Sequence, residues 1–419
     1  MAVGQEHVRH ANVPKTEGRV AASSGQDRTR QVFLIAGGGI GGLATALALA
    51  RYGIASHVLE KRSEYPAEGA GIQIGPNGGR VLAWLGVSEA LRTSAGIPDC
   101  IRVHKGSSGE LLSRLPLGTR IARRHGASYW VLHRADLHAA LLEAARSSRF
   151  ISLSTGADVT GVRQDESTVT VETSDGRSLE GQGLIAADGL WSDLRQQLFD
   201  TDAPVFANRS AARAVLPVLD VPKGITTNDV GIWLGTRAHV VHYPVRGGTE
   251  LALVVVREDI EPAAGWNSKA DGPWVRDGVS AFAPVLRELV AAVPAWRKWG
   301  LYDLPKPQQL VRGKVALVGD AAHPVLPFLA QGGVMALEDG MTLAQAVATH
   351  DNVEAAFAAY QVARRTRVTR VQAASRRNGR IYHLGGAMAA ARNMTLRTVP
   401  AAILMAQYDW LYGWRPDAC

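Results

Sequence analysis

VFLIAGGGIGGLATALALARYGIASHVLE, the stretch Val32–Glu60, decides the fold. The run Gln31–Ala36 is short, apolar and rich in β-formers, as expected of a strand buried on both faces. Leu43–Tyr52 consists largely of good helix formers and stops at Gly53. Ala55–Glu60 reads as a second strand, so strand, turn, helix and strand fit a βαβ unit of about thirty residues. The turn carries Gly37-x-Gly39-x-x-Gly42. Gly37 permits the tight turn, Gly39 lets the backbone approach a pyrophosphate, and Gly42 lets the helix pack on the strand. Ile40 and Gly41 open the helix, whose unpaired N–H groups and positive end suit phosphate. Glu60 lies eighteen residues past the last glycine, where an acid accepts a ribose hydroxyl, with Lys61 beside it. The uncharged run Val32–Ala50 has the length of a membrane span, but its five glycines make strand–turn–helix the better reading.

Two further segments follow strands in the same manner. Lys314–Val318 leads into Gly319-Asp320, placing a carboxylate at a strand's C-terminal end, where it can hold a sugar hydroxyl. Eleven residues on, Gln331-Gly332-Gly333 opens a helix whose N–H groups suit a ring that becomes anionic. Leu179–Ala187 reads as one buried strand, joined to Thr168–Glu172 by a hairpin at Asp175-Gly176. It leads into Asp188-Gly189, with Ser192 and Arg195 one helical turn apart and able to face phosphate or ribose.

Taken together, these segments resemble the single-component (group A) flavoprotein aromatic hydroxylases, from about Gln31 to Trp414. The resemblance implies FAD as cofactor and NADH or NADPH as co-substrate. It assigns Gly37, Gly39, Ile40, Gly41, Gly42, Glu60 and Lys61 to the adenosine and pyrophosphate, and Asp320, Gln331, Gly332 and Gly333 to the flavin side. Asp188 serves FAD and NAD(P)H, Arg134 contacts FAD, and the loop at Gly71 and Ile72 passes the isoalloxazine. It further implies O2 activation as a flavin C4a-hydroperoxide, then oxygen transfer to a small phenolic or hydroxy-heteroaromatic acid. Within the family, Arg237–Gly248 most resembles the 3-hydroxybenzoate 6-hydroxylases, with salicylate and 6-hydroxynicotinate hydroxylases as near relatives. One position departs: those enzymes carry Gln where this chain has Pro327, and Pro327 with Phe328 then reads as an apolar wall beside the flavin.

The implied fold is α/β, a Rossmann-like FAD-binding domain with an inserted mixed or antiparallel β lobe for substrate and a helical C-terminal region. Residues 30–200 and 305–350 form the discontinuous FAD domain, 201–304 the substrate lobe and 351–419 the helical region. Residues 1–29 are expected to be a disordered tail. If Ala238–Val245 is a strand, period two places His239, Val241 and Tyr243 on one face and His242 on the other. His239 and Tyr243 would grip one small ring, His239 as the base that activates the phenol and Tyr243 as the group that orients it.

Composition narrows the alternatives. The chain has 419 residues, 46 Lys and Arg against 38 Asp and Glu, and two cysteines. Two cysteines exclude a disulfide framework and point to a reducing cytoplasm. Neither clustered Cys/His metal spacing nor a nucleic-acid-binding pattern is present, and no metal or membrane span is expected. The run Arg364-Arg365-Thr366-Arg367, with Arg370, Arg376 and Arg377, reads as the solvated face of a long helix. A homodimer is compatible with this organisation. Two other readings share the flavin motifs: an epoxidase or oxidase of the same fold, and a non-catalytic FAD-binding electron-transfer protein.

Overall fold

The computed structural model describes residues 32–65, 69, 71–262, 268–304 and 309–416; the expected tail 1–29 lies outside them. The first strand, Val32–Ala36, sits inside a six-stranded sheet, flanked by Ala55–Leu59 and by Gly183–Ala186. Val315–Leu317 and Ile151–Ser154 extend the parallel set, and Val311–Arg312 adds an antiparallel edge. Phe33, Leu34 and Ile35 are at most 1% exposed, as both faces of a parallel sheet must be covered. The helix Ile40–Arg51 covers one face and packs against the helix Gly332–Thr349. That approach is close: a Cβ on Gly340 would stand 2.9 Å from Thr45 N.

The hairpin expectation needs one correction. Leu179–Ala187 is two strands: Ser178–Gly181 turns back on Val169–Thr173 in a three-stranded antiparallel sheet, and Gly183–Ala186 joins the parallel sheet. A Cβ on Gly181 would meet Val32 O at 2.7 Å, so the chain changes sheets where a side chain has no room.

The second lobe is an eight-stranded mixed sheet. Its long strand Glu250–Glu258 pairs antiparallel with both Val205–Pro217 and Ala238–Val245, whereas Val230–Leu234 pairs parallel to Cys100–Lys105. Two strands of this sheet, Cys100–Lys105 and Leu111–Pro116, therefore come from the stretch assigned by sequence to the nucleotide domain. The helices Val353–Tyr382, Gly386–Thr398 and Ala401–Ala406 run toward the C-terminus.

Only part of the arginine run is a solvated face: Arg365, Arg370 and Arg377 are exposed, whereas Arg364, Arg367 and Arg376 turn into ion pairs. Arg364 is 1% exposed and donates to Asp339 Oδ1 at 2.7 Å and Glu338 Oε2 at 2.8 Å. Arg367 donates twice more to Glu338, Arg370 stacks on Trp410, and Arg376 forks onto Asp303. Glu338 also accepts from Asn77, and Asp339 from the backbone N–H of Gly319, with His323 at 2.6 Å. Burial alone would raise the Asp339 carboxyl, but His323 and Arg364 outweigh it and hold it at about 2. Charge patterning misread this face because burial of an arginine depends on acids from another helix.

Removing one partner of a buried ion pair leaves the other uncompensated, at a cost of about 3–5 kcal/mol. Arg364→Met is therefore expected to lower unfolding free energy by about that much, measured by urea denaturation. Arg365→Met, one residue along on the exposed side, should leave it within about 0.5 kcal/mol.

Candidate active site

Two concavities carry the candidate residues: Gln73 and Pro327–Ala330 line one of them, and Gly71, Ile72 and Gln331–Gly333 line neither. The first is a cleft of 280 Å³ at the C-terminal ends of the parallel strands, where open α/β sheets bind ligands. Gly37, Gly39, Glu60, Lys61, Arg134, Asp188 and Asp320 all line it. Gly37 has φ +109°, and a Cβ there would meet Ala187 O at 2.5 Å. A Cβ on Gly42 would lie 1.9 Å from Gly37 O, so the helix start can sit on the turn only without a side chain. Around Gly39 the opposite holds: nothing lies within 4 Å of its ideal Cβ, and this open space is where a phosphate can reach backbone N–H groups. Ile40 is buried in the helix, and Gly41 packs on Ala336 instead of facing the cleft.

Glu60 accepts from Gly38 N at 2.8 Å and from Arg62 N at 3.0 Å. Two backbone donors fix its carboxylate, which still has lone pairs for a ribose. Among the described residues Asp188 Oδ1 is buried without a hydrogen-bond partner, and burial raises the Asp188 pKa. Asp320, at the short helical turn Gly319–Ala321, also has its pKa raised by burial, partly opposed by Arg134. Its Oδ1 is 3.9 Å from the ideal Cβ position of Gly332, which opens the helix Gly332–Thr349. Such carboxylates are stabilised by hydroxyl donors, so a glycine-lined slot with an orphan Asp188 oxygen fits FAD.

Gly71–Ile74 pairs antiparallel with Trp130–His133, Gly71 lying opposite His133, and a Cβ on Gly69 would stand 3.0 Å from Arg134 Cβ. Ile72 Cδ1 would lie 2.8 Å from a Cβ on Gly333. Gln331 is buried, accepts from Asn77 Nδ2 at 2.9 Å, and so holds the helix start in place. Ser192 and Arg195 do not face the cleft. Ser192 caps its helix by accepting from Arg195 N, and the Arg195 guanidinium turns inward onto the Leu190 and Ala321 carbonyls, each at 2.8 Å. A buried arginine satisfies its donors on the nearest carbonyls, and these lie behind the turn.

The second concavity is a largely apolar cavity of 480 Å³ between the mixed sheet and the C-terminal helices. His239, Val241, Pro327 and Phe328 line it. His239 is 3% exposed, with Phe328 at 5.6 Å and Tyr382 at 5.2 Å between ring centroids. Phe328 fits because Gly379 has no Cβ; one there would be 2.6 Å from its ring. His239 Nδ1 lies 2.8 Å from His383 Nε2. Burial, then His383 and Arg209, push the His239 pKa well below the ordinary histidine value. His242 points to the opposite face, near Trp233 and His104, as the alternation requires.

Tyr243 shares the His239 face but is not on the cavity wall. Four extended residues separate the two by about 13 Å, too far for both to grip one small ring. Its hydroxyl would lie 2.7 Å from a Cβ on Gly71, and it hydrogen-bonds Gln73, which does line the cavity and accepts from Tyr129 at 2.6 Å. Sequence reasoning missed Gln73, Tyr129, Tyr382, His383 and Arg392, all polar groups at or beside the wall. The pair Tyr382-His383 at the end of a long helix was the available signal, but no spacing linked it to His239.

Gly42→Ala is expected to fold and purify without bound flavin, because its methyl displaces the Gly37 turn. Absorbance near 450 nm against total protein measures the loss (about tenfold or more), whereas Gly41→Ala, whose Cβ would meet Ala336 at 3.5 Å and Val318 at 3.9 Å in ordinary contact, should remain yellow.

Comparison with known proteins accords with this geometry. Residues 29–377 match the family described as "FAD binding domain". The chain is 37% identical over 387 residues to a 3-hydroxybenzoate 6-hydroxylase of Polaromonas naphthalenivorans (strain CJ2), covering 92% of this chain and 96% of that one. A 3-hydroxybenzoate 6-hydroxylase of Klebsiella oxytoca is 37% identical over 396 residues, covering 92% and 97%. The crystal structure of Klebsiella pneumoniae HpxO complexed with FAD and uric acid superposes with a TM-score of 0.82 at 26% identity, over 91% and 96% of the two chains. With the dinucleotide cleft and the apolar cavity described above, these matches establish that the chain belongs to the FAD binding domain family, as one of its FAD-dependent aromatic hydroxylases.

Proposed function

We propose that this enzyme hydroxylates a small phenolic acid of the hydroxybenzoate class, using NAD(P)H and O2, with His239 as the base that takes the phenolic proton. The observation that carries this reading is a buried imidazole, His239, on the wall of an otherwise largely apolar cavity. The relatives that act on 3-hydroxybenzoate are matched over nearly their whole length.

FAD, held by Glu60, Arg134, Asp188, Asp320 and the helix start at Gly332-Gly333, supplies the hydride acceptor and the oxygen chemistry when bound. The chain's own residues prepare the ring. A phenolate is a better nucleophile than a phenol, and His239 is kept neutral by its lowered pKa, so it has a lone pair to offer across the working range. Val241, Pro327 and Phe328 exclude water from the reacting ring. Tyr243 acts through Gln73, holding an amide that can orient substrate polar groups. Pro327 offers no side-chain hydrogen bond, so discrimination at that point rests on shape.

A screen of hydroxybenzoates, salicylate and hydroxypyridine acids for stimulated NAD(P)H oxidation, with product and peroxide quantified, tests the reading. One phenolic acid should give hydroxylated product in near one-to-one ratio with NAD(P)H consumed. Peroxide with every compound would identify an oxidase instead. His239→Ala should keep FAD and lose about 10²–10⁴-fold in hydroxylation rate. The acidic limb of the wild-type profile should fall below pH ~6.5, the unperturbed histidine value, since the histidine protonates only below its depressed pKa.

A further inference from the structure

We infer that Arg392, on the helix Gly386–Thr398, binds the carboxylate of the substrate, its guanidinium serving as counter-ion to the acid group inside the apolar cavity. The inference rests on the reading of the substrate as a phenolic acid. Such a substrate brings a negative charge into a site walled by hydrocarbon and rings. An ionised carboxylate taken out of water is strongly disfavoured unless a cation and hydrogen-bond donors receive it. Pro327 and Phe328 supply neither.

The helix that carries Arg392 inverts the usual amphipathic order. Met388, Ala391, Arg392, Thr395 and Leu396 line the cavity, and their spacing is that of one helical stripe. An ordinary surface helix buries the apolar members of such a stripe and leaves its charges outside. Here the buried residues of the helix are Arg392 and Asn393, whereas Met388 and Met394 are 63% and 56% exposed. Local rules broken in this way are expected at functional sites.

Arg392 is 9% exposed, and burial alone lowers its pKa, with no acid raising it. Its hydrogen bonds go to neutral acceptors. Nη1 donates to the carbonyls of Ile381 at 2.9 Å and Tyr382 at 3.1 Å, and Nε and Nη2 both donate to Asn393 Oδ1 at 3.0 Å. The two carbonyls close the long helix, whose end attracts a cation but carries only about half an elementary charge. The second Nη2 hydrogen has no acceptor among the described residues. Among those residues two arginines and no Asp or Glu line the cavity, and the other arginine, Arg377, is exposed. The charge is felt nearby: burial first, then Arg209 and Arg392, lower the His383 pKa to about 3. A buried guanidinium without an acid is half of an ion pair, and a bound carboxylate completes it.

The placement fits the chemistry assigned to His239. Arg392 donates to the backbone carbonyl of Tyr382, whose ring packs edge-on against His239 at 5.2 Å between centroids. Cation and imidazole are thus tied to one residue, and both reach the cavity wall. Four hydrogen bonds keep the guanidinium from turning, so an acid binds it without the ordering cost that a free arginine side chain would add.

The test is titration of the FAD-loaded enzyme with 3-hydroxybenzoate, salicylate and 4-hydroxybenzoate, each set against its neutral carboxamide, with Kd read from the flavin spectrum. Wild-type enzyme should bind at least one acid more tightly than its amide. Arg392→Gln should weaken that acid about 10- to 100-fold, as expected for hydrogen bonding to a charged group, and leave the amide unchanged. Arg392→Lys keeps the charge on a group that titrates. Its preference for the acid should be present near pH 6 and lost by about pH 10, whereas wild-type enzyme keeps the preference throughout. Acid and amide weakened alike in Arg392→Gln would make Arg392 a helix cap only and overturn the inference. A preference that ignores pH in Arg392→Lys overturns it too, even where Arg392→Gln fails to take up flavin. A wild-type preference that survives Arg392→Gln removes the anchor alone, and its loss in Arg377→Gln would then move the role to the exposed arginine. Wild-type enzyme that binds no acid more tightly than its amide removes the phenolic-acid reading together with the anchor.

Discussion

Everything at the catalytic end of the molecule is referred to one buried charge cluster. Glu338 and Asp339, adjacent on the helix Gly332–Thr349, are clamped by Arg364 and Arg367 from the long helix. Burial of two carboxylates is costly unless each is paired and hydrogen-bonded. The cluster meets that condition by reaching in three directions: to Gly319 in the loop that presents Asp320, to Asn77 and through it Gln331, and to the long helix that ends in Tyr382 and His383. One ionic knot therefore sets the position of the Asp320 carboxylate, the helix start and the far wall of the cavity.

That arrangement explains why cleft and cavity, made from different sheets, hold a fixed relation. The cleft is shaped by close backbone contact: Gly42 on Gly37, and Gly340 on Thr45. The cavity is shaped by rings, with His239, Phe328, Tyr382 and His383 in mutual contact. Segment Pro327–Gly333 lines the cavity at its start and at its end opens the helix whose Gly332 stands beside Asp320. Chemistry that joins a ring substrate to a flavin needs this kind of shared segment.

The nucleotide half was readable from sequence because its constraints are local. A tight turn, a phosphate approach and a helix packed on its own strand each demand glycine at fixed spacing, and Val32–Ala36 is uniformly apolar. The strand alternation that turns His239 inward and His242 outward was legible for the same reason. What escaped was tertiary. Arg364 looks like a surface residue until Glu338 and Asp339 face it, and Arg195 looks like a phosphate ligand until the carbonyls of Leu190 and Ala321 claim it. His383 is 144 positions from His239, and Tyr243 lost its place on the wall through simple distance along the strand. Periodicity cannot report which distant helix closes a cavity.

The strand order of the parallel sheet has a consequence for biosynthesis. Val32–Ala36 pairs with Gly183–Ala186, which in turn needs Val315–Leu317 as its neighbour. A nascent chain leaving the ribosome therefore holds its first βαβ unit with an unprotected sheet edge until Gly183–Ala186 has been made, and that strand in turn waits for Val315–Leu317. The acids that anchor the helix start wait longer still, for Arg364. Through that interval Glu338 and Asp339 remain hydrated, so flavin capture belongs to the closing stages of translation, and chaperone shelter of the waiting edge is the natural requirement for such an order of assembly.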